Sequence, residues 1–546
     1  MLRDTLATKA YTARKLAQSG MFAPGRPDRT ARALLALKRW GATPAAGYSA
    51  AAIRFPDAAA IVDERGSLTF ADVQRRTNAI AHAWSDAGLG TGDGVAILCR
   101  NHRGLIEAMV ACSKIGADAL LLNTSFAGPQ LAEVCAREQP RALVYDEEFE
   151  PVVAASARGR KRYVGWPEGG GGSVPRLEEL AESGATAEVI PPESAGRIVI
   201  LTSGTTGSPR GAIRARPESL EPVAALLSRI PLRARERTLI AAPLFHAWGL
   251  AHVLIGTALA STLVLQRHFD PEATLRAIDE HGATALVVVP VMLQRILELG
   301  ERSIGRHDLG ALRVIAASGS ALPGPLATRV MDVFGDVLYN LYGSTEVAWA
   351  TVATPQDLRA APGSAGLPPR GTTVRLYDED DVVVSEPGVR GRIHVRSELV
   401  FEGYTRGGGK RLLDGFMSSG DIGHFDEAGR LFVDGREDEM IVSGGENVFP
   451  REVEDLVAML DGVADVAVAG VDDERFGQRL QAFVVLRDRA DVSADDIREH
   501  VRANLARFKV PRDVVFVSEL PRTDTGKLLR RELTAQAPVA HPLALD

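Results

Sequence analysis

Short, nearly continuous apolar runs alternate with helical patterns along most of this 546-residue chain. Gly94-Val-Ala-Ile-Leu-Cys99, Ala119-Leu-Leu-Leu122, Ala142-Leu-Val-Tyr145, Ala285-Leu-Val-Val-Val289 and Leu312-Arg-Val-Ile-Ala-Ala317 are the clearest. A strand that shows one face to water alternates polar with apolar, and these do not. They read as parallel strands covered by helices on both faces, which makes the chain α/β. Residues 104–115, between the first two runs, read as such a covering helix. At this length one core is not enough, and two or more domains are expected. Near residue 435 the texture changes: Leu431-Phe-Val-Asp-Gly-Arg-Glu-Asp438 passes from a strand into a turn. The residues beyond it carry helices (450–460, 493–506) and strands (463–471, 481–486) sufficient for a small α+β domain. The expected division is a basic helical segment (1–45), a large domain of mixed and parallel sheets flanked by helices (46–435), and a smaller domain (436–546).

Composition excludes some classes. The net charge of −7 gives no electrostatic reason to expect nucleic-acid binding. Cys99, Cys112 and Cys135 are few and widely spaced, which points to a reducing compartment, expected to be the cytoplasm, and away from disulfides or a zinc site. Residues 238–266 lack any Asp, Glu, Lys or Arg, but Pro243, His246, Gly249 and His252 interrupt them, so they read as core and not as a membrane span. The first forty residues carry nine basic residues against Asp4 and Asp28, and Leu2, Leu6, Ala10, Ala13 and Ala17 fall near one helical face. Either a peripheral helix or a contact with anionic membrane fits that pattern. No continuous apolar stretch follows to make it a signal peptide.

The densest chemistry lies in Leu201-Thr-Ser-Gly-Thr-Thr-Gly-Ser-Pro-Arg-Gly211. Glycines allow the backbone to turn its N–H groups inward as an anion nest, and Thr202, Ser203, Thr205, Thr206 and Arg210 add hydroxyls and a fixed charge. A β-branched strand (197–201) feeds this loop. It is not the familiar P-loop, because no Gly-Lys pair precedes a helix. Four further patterns follow in order. Asn340-Leu-Tyr-Gly-Ser-Thr-Glu346 reads as a glycine turn after a strand, presenting Thr345 and an oxygen ligand, Glu346, for a hard cation. Ser419-Gly-Asp421, read as preceding a hairpin, offers a carboxylate suited to ribose hydroxyls. Residues 435–450 include Gly444, Gly445 and Glu446, and Pro521-Arg-Thr-Asp-Thr-Gly-Lys527 ends in a lysine on a polar turn.

Together, in this order, these five motifs resemble the adenylate-forming superfamily, in particular its acyl-CoA synthetases, over roughly residues 50–535. The resemblance implies roles. Thr202, Ser203, Gly204, Thr205, Thr206, Gly207 and Arg210 would hold the β- and γ-phosphates of ATP, and Gly319, Ser320 and Ala321 would line the adenine. Asn340, Tyr342 and Thr345 would complete the nucleotide pocket, with Glu346 on Mg²⁺ and with Asp421 and Arg436 on the ribose. Lys527 would bridge the attacking carboxylate and the α-phosphate. The resemblance also makes the C-terminal domain mobile about a hinge at Asp438, which would bring Gly444, Gly445 and Glu446 to the coenzyme A tunnel.

The acid is less constrained. His246 stands where amino-acid-activating relatives usually have an aspartate, so an unsubstituted carboxylic acid is expected, with His246 contacting or gating it. A medium- or long-chain fatty acid is the first expectation. A fatty acyl-AMP ligase or carrier-protein ligase is the alternative, and a non-catalytic scaffold would be expected to have lost Lys527 or Glu346. No carrier domain is read after residue 535. The oligomeric state stays open, a homodimer included. Arg210 stands where the family usually has lysine.

Overall fold

A computed structural model describes residues 2–22, 25–169, 172–202, 210–214, 219–399, 401–410, 412–443, 446–473, 477–523 and 526–535. The described residues form four sheets. In the first, Thr262–Leu265, Arg237–Ile240, Ala285–Val288, Val314–Ala317 and Leu338–Ser344 lie side by side and parallel, with Ala348–Ala353 antiparallel at the edge. The second runs Ile198–Thr202, Asp118–Leu121, Gly94–Leu98, Ala142–Asp146 and Lys161–Trp166, all parallel. Arg210–Arg214 and Phe401–Tyr404 extend it antiparallel. The apolar runs of the sequence are these central strands, buried from end to end at Ala285–Val288 and Val314–Ala317.

The third sheet, antiparallel, spans residues 373–436. Its ten-residue strand Phe416–Phe425 contains Ser419 and Asp421, so this motif lies within the first strand of a hairpin with Leu431–Arg436 and not ahead of it. Strand propensity disfavours aspartate, but Asp421 faces Arg436 across the ladder. Similarly, Gly343 lies inside Leu338–Ser344 and not in a turn after it. The pairing shifts register at Tyr342/Gly343, and a Cβ on Gly343 would lie 1.8 Å from the Ala348 carbonyl oxygen. Glycine is there because the returning strand crosses too closely for any side chain.

The fourth sheet is built from residues 441–516 and encloses its own apolar cluster. At the other end of the chain, α1 (Leu2–Gln18) turns Leu16 into the body and leaves Ala10, Ala13 and Ala17 facing solvent. The next helix, α2 (Pro27–Trp40), buries Ala33 and Trp40 against α3 (Pro44–Arg54). No described helix is long and apolar enough to cross a membrane. Cys99, Cys112 and Cys135 are all buried free thiols. Cys99 adjoins His102 and Asp146, but the ring of His102 is already committed on both sides: Nδ1 accepts the Gly104 N–H (3.0 Å) and Nε2 meets Asp146 at 2.7 Å. The cluster ties two strand ends to a helix start.

Candidate active site

Four neighbouring parallel strands of the first sheet release their carboxyl ends into one cleft of about 980 Å³. Residues 242–249 follow Arg237–Ile240, Val289 follows Ala285–Val288, residues 318–323 follow Val314–Ala317, and Thr345 and Glu346 follow Leu338–Ser344. From Arg237–Ile240 the chain steps first to one side of the sheet and then to the other. Such a reversal opens a crevice beyond the strand ends, where α/β sheets bind ligands.

One wall carries the residues expected to take a nucleotide. Gly319, Ser320 and Ala321 line the cleft, Gly319 at a φ of 98° that its lack of a Cβ permits. Opposite them, the Tyr342 hydroxyl donates to Asp421 Oδ2 at 2.5 Å and lies 3.1 Å from Ser419 Oγ. Burial raises the pKa of Asp421, against the Tyr342 hydrogen bond and the Arg436 charge, which act to lower it. Arg436 Nη1 stands 3.7 Å from Asp421 Oδ1, and Arg436 Nε donates to Asp438 Oδ1 at 3.0 Å. Asn340 is 8 % exposed, and its Oδ1 is buried with no partner among the described residues. An orphaned acceptor is costly unless something donates to it. The exocyclic amine of adenine is a donor of that kind, so the residues present fit an adenine nucleotide.

Glu346 is held from both sides. Oε1 accepts from the Tyr404 hydroxyl at 3.2 Å, and Oε2 accepts from Ser344 Oγ at 3.1 Å. The Tyr404 ring also lies under the Arg210 guanidinium, 5.6 Å away. A carboxylate so oriented, beside the cation Arg210, fits Mg²⁺, which is commonly held by one or two carboxylates together with phosphate and water. Tyr404 was not singled out in the sequence, where it is an isolated aromatic after Gly403; the strand Phe401–Tyr404 brings it here by pairing with Arg210–Arg214.

Lys527 reaches the same cleft from the other end of the chain. Its turn is closed by the Arg522↔Leu528 bridge, by the Thr523 N–H bond to the Lys527 carbonyl (2.8 Å) and by Arg522 Nη1 donating to the Gly526 carbonyl (2.8 Å). Asp465 anchors Arg522 at 2.8 Å. A second cation, Arg530, is locked in the C-terminal segment by Glu454 and Glu439, and these carboxylates raise its pKa against the opposing effect of burial.

His246 lines the cleft at the start of the helix Ala247–Ala258, its ring 4.5 Å from that of Phe245. Two tryptophans missed in the sequence join it. Trp248 is buried, with its indole N–H on the Ala316 carbonyl at 3.3 Å. Trp349 lines both this cleft and a second cavity of about 290 Å³ beside α1. Behind Trp248, and edge-on to it at 4.2 Å, His252 is fully enclosed, and burial lowers its pKa to about 4.

Not every expected residue converges. Glu446 is exposed on the strand Glu446–Val448 and does not line the cleft; nor does Asp438, which pairs with Arg436 in a short 3₁₀ turn. Ser203, Gly204, Thr205, Thr206, Gly207, Gly444 and Gly445 lie outside the described residues, as does the side chain of Thr202.

Comparison with known proteins agrees with this geometry. Residues 48–405 match the model of the AMP-binding enzyme family, and residues 452–527 match that of the AMP-binding enzyme C-terminal domain. A feruloyl-CoA synthase from Amycolatopsis sp. is 34 % identical over 487 residues, covering 88 % of this chain and 96 % of the relative. An indoleacetate–CoA ligase from Aromatoleum aromaticum is 32 % identical over 508 residues, covering 89 % and 95 %. Among solved structures, the o-succinylbenzoate CoA synthetase of Bacillus subtilis with its acyl-adenylate intermediate superposes with a TM-score of 0.78 at 26 % identity, over 90 % of this chain and 98 % of that one.

Proposed function

The chain belongs to the AMP-binding enzyme family, and on that premise we propose that it is an AMP-forming acid–thiol ligase. It activates a carboxylic acid with ATP to an acyl-adenylate and pyrophosphate, then passes the acyl group to the thiol of coenzyme A. The observation that carries this reading is the convergence of Lys527 with Asn340, Glu346 and Asp421 on one cleft, across more than 180 residues of sequence.

The chemical difficulty is a carboxylate attacking a phosphorus already ringed by negative oxygens. Positioning and charge stabilisation are therefore most of what the protein must supply. Asn340 Oδ1 takes the adenine amine, and Asp421, seated by Tyr342 and Arg436, takes the ribose. The ammonium of Lys527 lies between the acid and the α-phosphate and offsets the charge that builds there. Arg210, over Tyr404, neutralises the outer phosphates with the loop 202–207. Glu346 would hold Mg²⁺, which when bound draws charge from the phosphate oxygens. Rotation about Asp438 then withdraws Lys527 and turns residues 444–446 to the cleft for the thiol step. The exposure of Glu446 supports assigning it to that second state.

The acid we propose is one with a flat, aromatic body. Trp248, Trp349 and His246 give the pocket aromatic walls, and stacking of rings adds about 0.5–1.5 kcal/mol per pair beyond buried area. The ring-bearing acids named for the two relatives fit the same reading. A medium- or long-chain fatty acid is the competing substrate. ATP–pyrophosphate exchange across aryl, arylacetic, short-chain and long-chain acids, repeated with coenzyme A, tests both levels. Exchange with aryl acids and thioester only when coenzyme A is present is the expected result. Exchange without thioester formation refutes the thiol step, and exchange confined to long-chain acids refutes the aromatic substrate.

A further inference from the structure

None of the described residues of the basic N-terminal segment lines the cleft, yet the segment presents an unusual surface. On α2, Leu34, Leu35 and Leu37 are 61, 66 and 43 % exposed, and Phe22, just before it, is 57 % exposed. Large apolar side chains scattered singly over a surface need no explanation, but three within four residues of one helix do. The helix buries Ala33 and Trp40 on the side that faces α3, so Leu34 and Leu35 point away from the body and Leu37 flanks the buried side.

Cations surround them. The first forty residues hold nine Lys and Arg against two Asp, on a chain whose overall charge is −7. Arg26 is paired with Asp28 and Arg39 with Glu188. Arg32 and Lys38 are exposed on α2 and make no ion pair among the described residues. The solvent face of α2 thus combines an apolar ridge with uncompensated positive charge, on an otherwise acidic protein.

We propose that α2 lies on an anionic lipid surface, its leucines entering the headgroup–acyl boundary while Arg32 and Lys38 meet lipid phosphates. Interfacial helices combine buried apolar area with attraction to anionic headgroups in this way. Charge favours lipid over a second copy of the chain. A symmetric contact through this face would set like charges against each other, and a membrane offers the opposite sign. Among the described side chains of α1, the exposed apolar ones are Ala7, Ala10, Ala13 and Ala17, too short to insert, so the contact is assigned to α2.

Flotation of the full chain with vesicles tests this. Phosphatidylcholine vesicles with about a third phosphatidylserine should carry the protein up, and pure phosphatidylcholine should not. Leu34→Ser/Leu35→Ser and Arg32→Glu/Lys38→Glu should each weaken the partition, the charge variant by about fivefold or more per residue, with ATP–pyrophosphate exchange unchanged. High salt should weaken it too. Equal recovery on neutral vesicles, or wild-type flotation of both variants, overturns the proposal. So does a vesicle-free dimer that the leucine variant converts to monomer, because the face then belongs to a second copy.

Discussion

Gly526 rests against Val291. A Cβ on Gly526 would lie 2.8 Å from Val291 Cγ1, and its φ of 75° is one that side chains avoid. This contact sets the turn that carries Lys527 onto the strand ends of the first sheet, beside Ser320. Gly526→Ala should therefore slow acyl-adenylate formation by about tenfold, the effect of roughly 1.4 kcal/mol. Thioester formation from a supplied acyl-adenylate should be spared, because Lys527 has no part in it. Measuring the two half-reactions separately decides; equal loss in both would mean the turn is needed only for folding.

Removal of the lysine itself should be more severe. Lys527→Ala should lower the rate of pyrophosphate exchange by about 10²–10³, as does loss of a charge-stabilising donor elsewhere. ATP affinity, which the proposed function assigns to Asn340 and Asp421, should change little. Isothermal titration with ATP beside single-turnover kinetics separates the two, and a variant that fails mainly in ATP binding would refute the assigned role.

Trp349 stands between two cavities, the cleft and the smaller one lined by Tyr11, Pro222 and Arg370. Trp349→Ala should join them and shift preference toward bulkier acids. A change of about tenfold in the ratio of kcat/KM values between a two-ring and a one-ring acid is expected, at the scale of 1–3 kcal/mol per pocket contact. Competition between the paired acids is the measurement; an unchanged ratio would mean the indole is not the end wall.

His252 gives the fold a pH dependence. Its pKa in the folded protein is about 4, while an unperturbed histidine titrates near 6.5. Between these values the unfolded chain binds the proton and the folded one does not, so stability falls as pH drops from about 6.5 to 4 and rises as pH increases. The two and a half units correspond to about 3 kcal/mol. Urea unfolding at pH 7 and pH 4.5 should show a steeper loss in the wild type than in His252→Phe, and parallel losses would rule out this source.

Many of the residues that sequence reading assigned to the nucleotide line one cleft. They fall at the ends of short apolar strands, where local pattern alone marks strand, loop and polar group. Asn340 and Glu346 were legible in a motif that follows an apolar strand, and Lys527 in a polar turn, while Gly319 came only from the family resemblance. The aromatic half was not legible. Trp248, Trp349 and Tyr404 look like core residues, and only their neighbours show otherwise. Tyr404 matters because one antiparallel pairing sets it between Arg210 and Glu346.

By itself, then, the sequence determined the α/β class, the separate C-terminal unit and the chemistry of ATP-dependent acid activation. The first two follow from local periodicity and texture, and the third from the resemblance of the ordered motifs to the adenylate-forming superfamily. The tertiary structure alone decided where Asp421 sits, which helix shows its leucines to solvent, what walls surround the acid, and that Lys527 is docked while Glu446 is not. Those facts depend on contacts between segments far apart in the chain, and no local pattern encodes which face of a helix or strand its distant neighbours will cover.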